Sequence, residues 1–204
     1  MTEIDETEAT RHRLKMQKRK AVQDAEVAEK MEEKGLLIVH TGAGKGKTTA
    51  AFGLALRMLG YGRTVGVVQF VKGAWHTGEK DAFAAFGSRL RWHAMGEGFT
   101  WETQDLERDI AAARAAWSKA QELMADPAVA LVVLDEINIA LRYDYLPIGE
   151  VVETLTSRRA DLHVVATGRN AKPELIEAAD LVTEFTLVKH HFKAGVKAQK
   201  GIEF

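Results

Sequence analysis

Between the apolar run Leu36–Val39 and the helix-like segment Ala50–Leu59 lies Thr41-Gly42-Ala43-Gly44-Lys45-Gly46-Lys47-Thr48-Thr49. A chain that leaves a buried strand, turns through glycines and enters a helix presents several backbone N–H groups at the helix's positive end, where polyphosphates bind. The run matches G-x-x-x-x-G-K-[ST] except at its first position, which is Thr41, with glycine one residue later at Gly42. Gly46, Lys47 and Thr48 keep the chemistry: room for backbone to approach phosphate, an ammonium to neutralise it, and a hydroxyl for Mg²⁺. The candidate nucleotide-binding set is therefore Gly42, Ala43, Gly44, Lys45, Gly46, Lys47, Thr48 and Thr49.

A chain of 204 residues, 46% hydrophobic, can bury one good-sized core, which favours a single domain plus a tail. Charge is balanced, 28 basic against 29 acidic residues, which argues against nucleic acid or an anionic membrane as a partner. The absence of cysteine removes disulfides, thiolate metal sites, iron–sulfur clusters and thiol redox chemistry, so any electrons needed come from another molecule. No apolar run approaches the roughly 20 residues that span a bilayer. The N-terminus mixes acids early with bases, unlike a signal or transit peptide, and the expected location is cytoplasmic.

Residues 1–34 carry 17 charged side chains and neither glycine nor proline, which is helix-forming composition without the means to pack a core. Two readings stand for this charged N-terminal arm. Leu14, Ala21, Ala25 and Ala28 form a narrow helical stripe that lies on the body or on a partner chain, or the arm is solvated. From residue 35 to 204, short β-branched runs alternate with amphipathic stretches, the pattern of a mostly parallel sheet covered by helices. Six strands are predicted near 36–40, 64–70, 89–93, 130–135, 162–167 and 181–187. Helices are predicted at 47–59, 79–86, 103–124, 148–158 and 172–178, with Gly60 and Gly62 ending the first. The fold expected is a P-loop NTPase-like α/β domain with helices on both faces of the sheet.

The apolar run Ala130–Leu134 ends in Asp135-Glu136. If its strand neighbours the one before the glycine loop, either carboxylate can face a metal beside the triphosphate. Acids also end strands merely because the chain returns to solvent, and adjacent side chains diverge, so both remain candidates. Phe99 and Trp101 sit two apart in a glycine-flanked loop, suited to a large flat ligand or to ordinary packing on the next helix.

Taken in order, Val39 to Gly53, Gln69-Phe70-Val71-Lys72-Gly73, Gly96-Glu97-Gly98-Phe99-Thr100-Trp101, Leu134-Asp135-Glu136 and Thr167-Gly168-Arg169-Asn170 resemble the phosphate-loop class of ATP:corrinoid adenosyltransferases of the cobalamin pathway. The likeness runs from about residue 35 to Phe204 and includes the ending Gly195–Phe204. Thr41 at the usual glycine position belongs to that family's pattern, and position 43 is variable in it. The resemblance implies transfer of the 5′-deoxyadenosyl group of ATP to the cobalt of a corrinoid, in its +1 state, with release of triphosphate. It implies catalytic roles for Lys47, Phe99, Trp101 and Glu136, with Phe99 and Trp101 under the corrin ring displacing its lower axial ligand. Thr48, Asp135 and Glu136 are the implied ligands of Mg²⁺, or of Mn²⁺ in its place. Arg57 is implied to reach adenine or phosphates, or is a solvated helix arginine. An external electron donor, a flavin or flavoprotein, and a homodimer whose arm folds over the corrinoid are also implied. Two other classes compete: a phosphate-loop ATPase or kinase that cleaves the terminal phosphate and leaves ADP, and a nucleotide-responsive binding module acting through the arm.

Overall fold

The segment Val129–Asp135 has no polar side chain before its last residue, and all seven of its residues are buried as strand β4. A strand covered on both faces reads as a continuous apolar run, and β4 lies inside the sheet accordingly. The structure, a computed structural model, describes residues 6–71, 77–96 and 105–203. Two compact units divide the chain, 1–33 and 34–204. In the first, Glu6–Ala28 forms the 23-residue helix α1, with Leu14, Val22 and Val27 exposed and a Lys20–Asp24 ion pair one turn apart.

The second unit is built on β1 (Leu37–Thr41), β2 (Thr64–Gln69), β3 (Leu90–Ala94), β4, β5 (His163–Thr167) and β6 (Leu181–Glu184). These six form one sheet in the order β3-β2-β4-β5-β1-β6, with every described pairing parallel. Successive residues of a strand face opposite sides, and two cores follow. Leu37, Val39, Val132, Leu134, Val164 and Ala166 face α4 (Leu106–Ala125), α5 (Ile137–Arg142), α6 (Ile148–Thr156) and α7 (Pro173–Ala178). Ile38, Val65, Val67, Leu131, Val133 and Val165 face α2 (Lys47–Gly60) and α3 (Gly78–Ala84). The protein is thus a P-loop NTPase-like α/β fold. Among the described residues no helix is long and apolar enough to cross a membrane.

Local chemistry sets the helix ends. Asp105 caps α4 by accepting from the Arg108 N–H at 3.1 Å, with Glu107 and Asp109 in the first turn, where negative charge is favoured. Pro173 opens α7, where its missing N–H costs nothing. The entry to β1 is held by Asp180, which accepts from the Leu37 N–H at 2.8 Å and pairs with Lys34 at 2.7 Å.

Three expectations are corrected. The acid-bearing strand does not neighbour β1, because β5 pairs with both: Leu37–His40 align with Val164–Thr167, and Leu131–Leu134 with His163–Ala166. The short helix α5 follows β4 directly, at a length too small for helical periodicity to reveal. The last strand ends at Glu184 rather than 187, because Phe185 leaves the sheet to bond the glycine loop.

Candidate active site

Open α/β sheets bind ligands beyond the carboxyl ends of their strands. Here that edge gathers Thr41 from β1, Asp135 from β4 and Thr167 from β5. The glycine loop joins β1 to α2 and is tied down by Phe185, whose N–H donates to Thr41 O at 2.9 Å and whose carbonyl accepts from Gly44 N–H at 2.6 Å. A Cβ on Gly42 or Gly44 would stand 2.5 or 2.7 Å from the Phe185 oxygen, so close backbone approach requires both glycines. Gly46 caps α2 at φ 106°, a left-handed conformation that glycine adopts without penalty.

Lys47, the first residue of α2, is 7% exposed, and its Nζ donates to the carbonyls of Gly42 at 2.9 Å and Gly44 at 2.5 Å. The loop therefore closes around its own ammonium. Burial pulls the Lys47 pKa below that of an ordinary lysine, the charge of Glu136 opposes the fall, and Arg169 and Lys45 add to it. Ala43, Lys45 and Thr49 are exposed on the outer side of the loop and first helical turn.

Asp135 is fully buried, and its Oδ1 accepts from the hydroxyls of Thr48 at 2.8 Å and Thr167 at 2.9 Å. Its Oδ2 accepts from Gln69 Nε2 at 3.0 Å, and Gln69 in turn accepts from Trp92 Nε1 at 3.2 Å. A strand away from the glycine loop, Asp135 still meets it, because α2 starts at the same edge and Thr167 bridges the intervening strand. Glu136 begins the turn into α5 at φ 63°, and its N–H donates to Thr167 Oγ1 at 3.0 Å. A non-glycine residue held there costs roughly 1–3 kcal/mol, a strain that gathers at functional sites. Its carboxylate packs over Gly168: Oε2 lies 3.0 Å from where a Cβ on that glycine would stand.

Of the site residues expected from sequence, the structure brings Gly42, Gly44, Gly46, Lys47, Thr48, Asp135 and Glu136 together. Arg57 is not among them. Ten residues of α2, about 15 Å at the helical rise, separate it from Lys47. There it lines a cavity of about 250 Å³ with Leu36, Met58, Tyr61 and His163. Phe99 and Trp101 lie outside the described residues.

Sequence reasoning left several groups out of the site. His40 is buried, and its Nδ1 stands 3.1 Å from the Lys47 carbonyl, which can only accept, so that nitrogen carries the proton. Burial lowers the His40 pKa against this bond, and its ring meets Phe185 edge-on at 5.4 Å. Thr41 Oγ1 accepts from Ala171 N–H at 3.0 Å, and the His40 carbonyl accepts from Gly168 N–H at 3.2 Å, which brings the Gly168–Asn170 turn beside the loop. Asn138 donates to the Gly168 carbonyl at 3.0 Å, while its own amide oxygen is buried without a hydrogen bond among the described residues. Two signals were legible for these: the polar ending of each apolar strand, His40-Thr41 and Thr167-Gly168, and the run Thr167-Gly168-Arg169-Asn170 that carries part of the family resemblance.

A glycine loop closing on lysine, with a threonine hydroxyl on a buried aspartate at the sheet's carboxyl edge, defines a phosphate-loop nucleotide-binding protein. Residues 33–204 match the family model for the ATP:corrinoid adenosyltransferases BtuR/CobO/CobP, and residues 1–27 match that for the cob(I)alamin adenosyltransferase N terminus. The chain belongs to the ATP:corrinoid adenosyltransferase family and is an enzyme of the transferase class. It is 58% identical over 194 residues to a corrinoid adenosyltransferase of Pseudomonas aeruginosa, covering 95% of this chain and 96% of that one. A corrinoid adenosyltransferase of Sinorhizobium is 53% identical, covering 98% and 94%. Corrinoid adenosyltransferase CobA of Salmonella typhimurium is 47% identical, covering 95% and 98%.

Proposed function

We propose that this protein transfers the 5′-deoxyadenosyl group of ATP to the cobalt of a reduced corrinoid and releases triphosphate. The observation that carries the reading is the constellation of buried Lys47 and Asp135 with Thr48 between them, within a chain whose residues 33–204 match the adenosyltransferase family. In the substrate corrinoid, cobalt in its +1 state supplies an electron pair to C5′, the C5′–O bond breaks, and its pair leaves with the triphosphate. Cobalt thereby becomes formally +3. The leaving group is a full triphosphate, and preorganised positive charge stabilises what develops on it. Lys47 and the loop's N–H groups supply that charge, and the Glu136 carboxylate works against the lowering of the Lys47 pKa by burial.

The donor set fits Mg²⁺, a hard cation that prefers hydroxyl and carboxylate oxygen and keeps ligand places for phosphate and water. Thr48 and Asp135 would hold it, with Glu136 nearby, and when bound it supplies positive charge to the phosphate oxygens. Among the described residues no group of three His, Cys, Asp or Glu side chains is placed to hold a metal ion, so its remaining ligands would come from substrate and water. Phe99 and Trp101 would act as an apolar wedge under the corrin ring, easing reduction of cobalt by an external donor. A homodimer completes the reading.

Incubation with ATP, Mg²⁺ and chemically reduced corrinoid tests it. Equal amounts of triphosphate and a light-sensitive cobalt–carbon product are expected, with little ADP. ADP and unchanged corrinoid would instead mark a phosphate-loop ATPase.

A further inference from the structure

The tail beyond β6 returns to the glycine loop at Lys45. Residues 189–203 contain four lysines, two histidines and a single acid, Glu203. That acid is delivered to the loop: its Oε2 pairs with the Lys45 ammonium. The Glu203 side chain is 15% exposed, although it stands at the end of the described chain. His191 Nε2 lies 3.1 Å from Oε1, and His190 stacks on His191 with ring centroids 4.8 Å apart. Together these basic groups, Lys45 foremost, hold the Glu203 carboxyl below the usual carboxylate range.

The contact is incomplete. Oε1 is buried without a hydrogen bond among the described residues, the His191 ring being close but out of alignment. The carboxylate is presented by one turn, in which Ile202 and Glu203 N–H donate to Gln199 O at 3.1 and 2.9 Å. Beside this turn is a cavity of about 340 Å³ lined by Gly78, Glu79, Ala82, Gly201 and Ile202, which gives the tail room to shift. A lone carboxylate among three basic groups, one of them on a loop shaped for phosphate, occupies the place of an anionic ligand.

We propose that Lys45, His190 and His191 form an anion subsite at the outer edge of the phosphate loop, held by Glu203 in the free protein and taken over by inorganic triphosphate. The inference rests on the reading that this loop binds a triphosphate. A polyphosphate brings several charges and many acceptor oxygens to groups that Glu203 satisfies with one oxygen. Because Glu203 is tethered, it competes at high effective concentration, and its return helps expel the product.

The test is calorimetric titration of the full chain with Mg²⁺ and inorganic tripolyphosphate, wild type against Glu203→Gln. The variant is expected to bind about threefold more tightly, the scale of one partly exposed ion pair removed from competition. In the wild type, hydrogen exchange at the Ile202 and Glu203 amides is expected to accelerate at saturating tripolyphosphate. Unchanged or weaker binding by the variant overturns the inference, as does protection of those two amides that persists at saturation. A wild type that binds neither tripolyphosphate nor ATP overturns the phosphate-loop reading itself, and this inference with it.

Discussion

Lys47 concentrates the chemistry of this site in one side chain. Its ammonium is bonded to the loop's own carbonyls, so the positive charge is in place before any ligand arrives and needs no reorganisation. Lys47→Ala is expected to lower turnover by about 100-fold or more, the cost of removing one preorganised group from a leaving oxyanion. Steady-state rates of triphosphate release, with circular dichroism to confirm folding, check this, and near-normal rates would remove Lys47 from its role. Thr167 is the quieter partner. Its hydroxyl donates to Asp135 and accepts from the Glu136 N–H, so it orients both acids at once. Thr167→Val should cost about 1–3 kcal/mol in urea unfolding, because it strands a buried donor and thins the support of a buried carboxylate. It should also raise the Mg²⁺ concentration needed for half-maximal rate. A variant as stable as wild type with an unshifted Mg²⁺ requirement would contradict that assignment.

At the level of elements, the glycine loop is a joint between β1, α2 and the chain leaving β6. The Phe185 backbone fixes it from one side, and His40 holds the Lys47 carbonyl from the other. Gly44→Ala tests the joint. Its Cβ would stand 2.7 Å from the Phe185 carbonyl oxygen, and backbone cannot yield as a side-chain tip can. The expected result is a lower melting temperature and at least tenfold weaker ATP binding by calorimetry, with far-ultraviolet dichroism unchanged because the sheet itself is not touched. Ala43 faces solvent, and Ala43→Ser should leave affinity within about twofold. If both substitutions weaken binding alike, the tie to Phe185 is not what shapes the loop.

Across the whole molecule, His40, His93 and His163 all have pKa values lowered from 6.5, burial being the first cause in each. His163 must also stay neutral at Nδ1 to accept from the Leu36 N–H at 3.1 Å. A histidine whose folded pKa lies below its unfolded one takes up protons mainly on unfolding as pH falls. Its contribution is fully present above the unfolded value and is lost as pH drops towards the folded one. Stability by urea unfolding should therefore decline as pH falls below about 6.5, the unperturbed value of these groups. His163→Gln should flatten part of that decline, and a profile level from pH 7.5 to 5.5 would show that these histidines titrate alike in both states.

Much of this was readable without coordinates, and the reason is local. The phosphate loop needs consecutive residues between a strand and a helix, so Gly46, Lys47 and Thr48 carry their meaning in the string, as do the apolar runs of the buried strands β1, β2, β4 and β5. Asp135 was legible as an acid ending a buried run, but its neighbours were not. Strand order depends on which hydrogen-bonded edges meet, and β5 enters between β1 and β4 through a pairing with β1 that joins residues more than a hundred positions apart, such as Leu37 and Val164. Only that arrangement carries Thr167 to Asp135, and only the path beyond β6 lays Phe185 on Gly42 and Gly44 and brings Glu203 to Lys45. The amino-acid string determined the phosphate chemistry, because short covalent spacing sets it. Tertiary structure decided which distant side chains support that chemistry, because long-range packing has no fixed spacing to read.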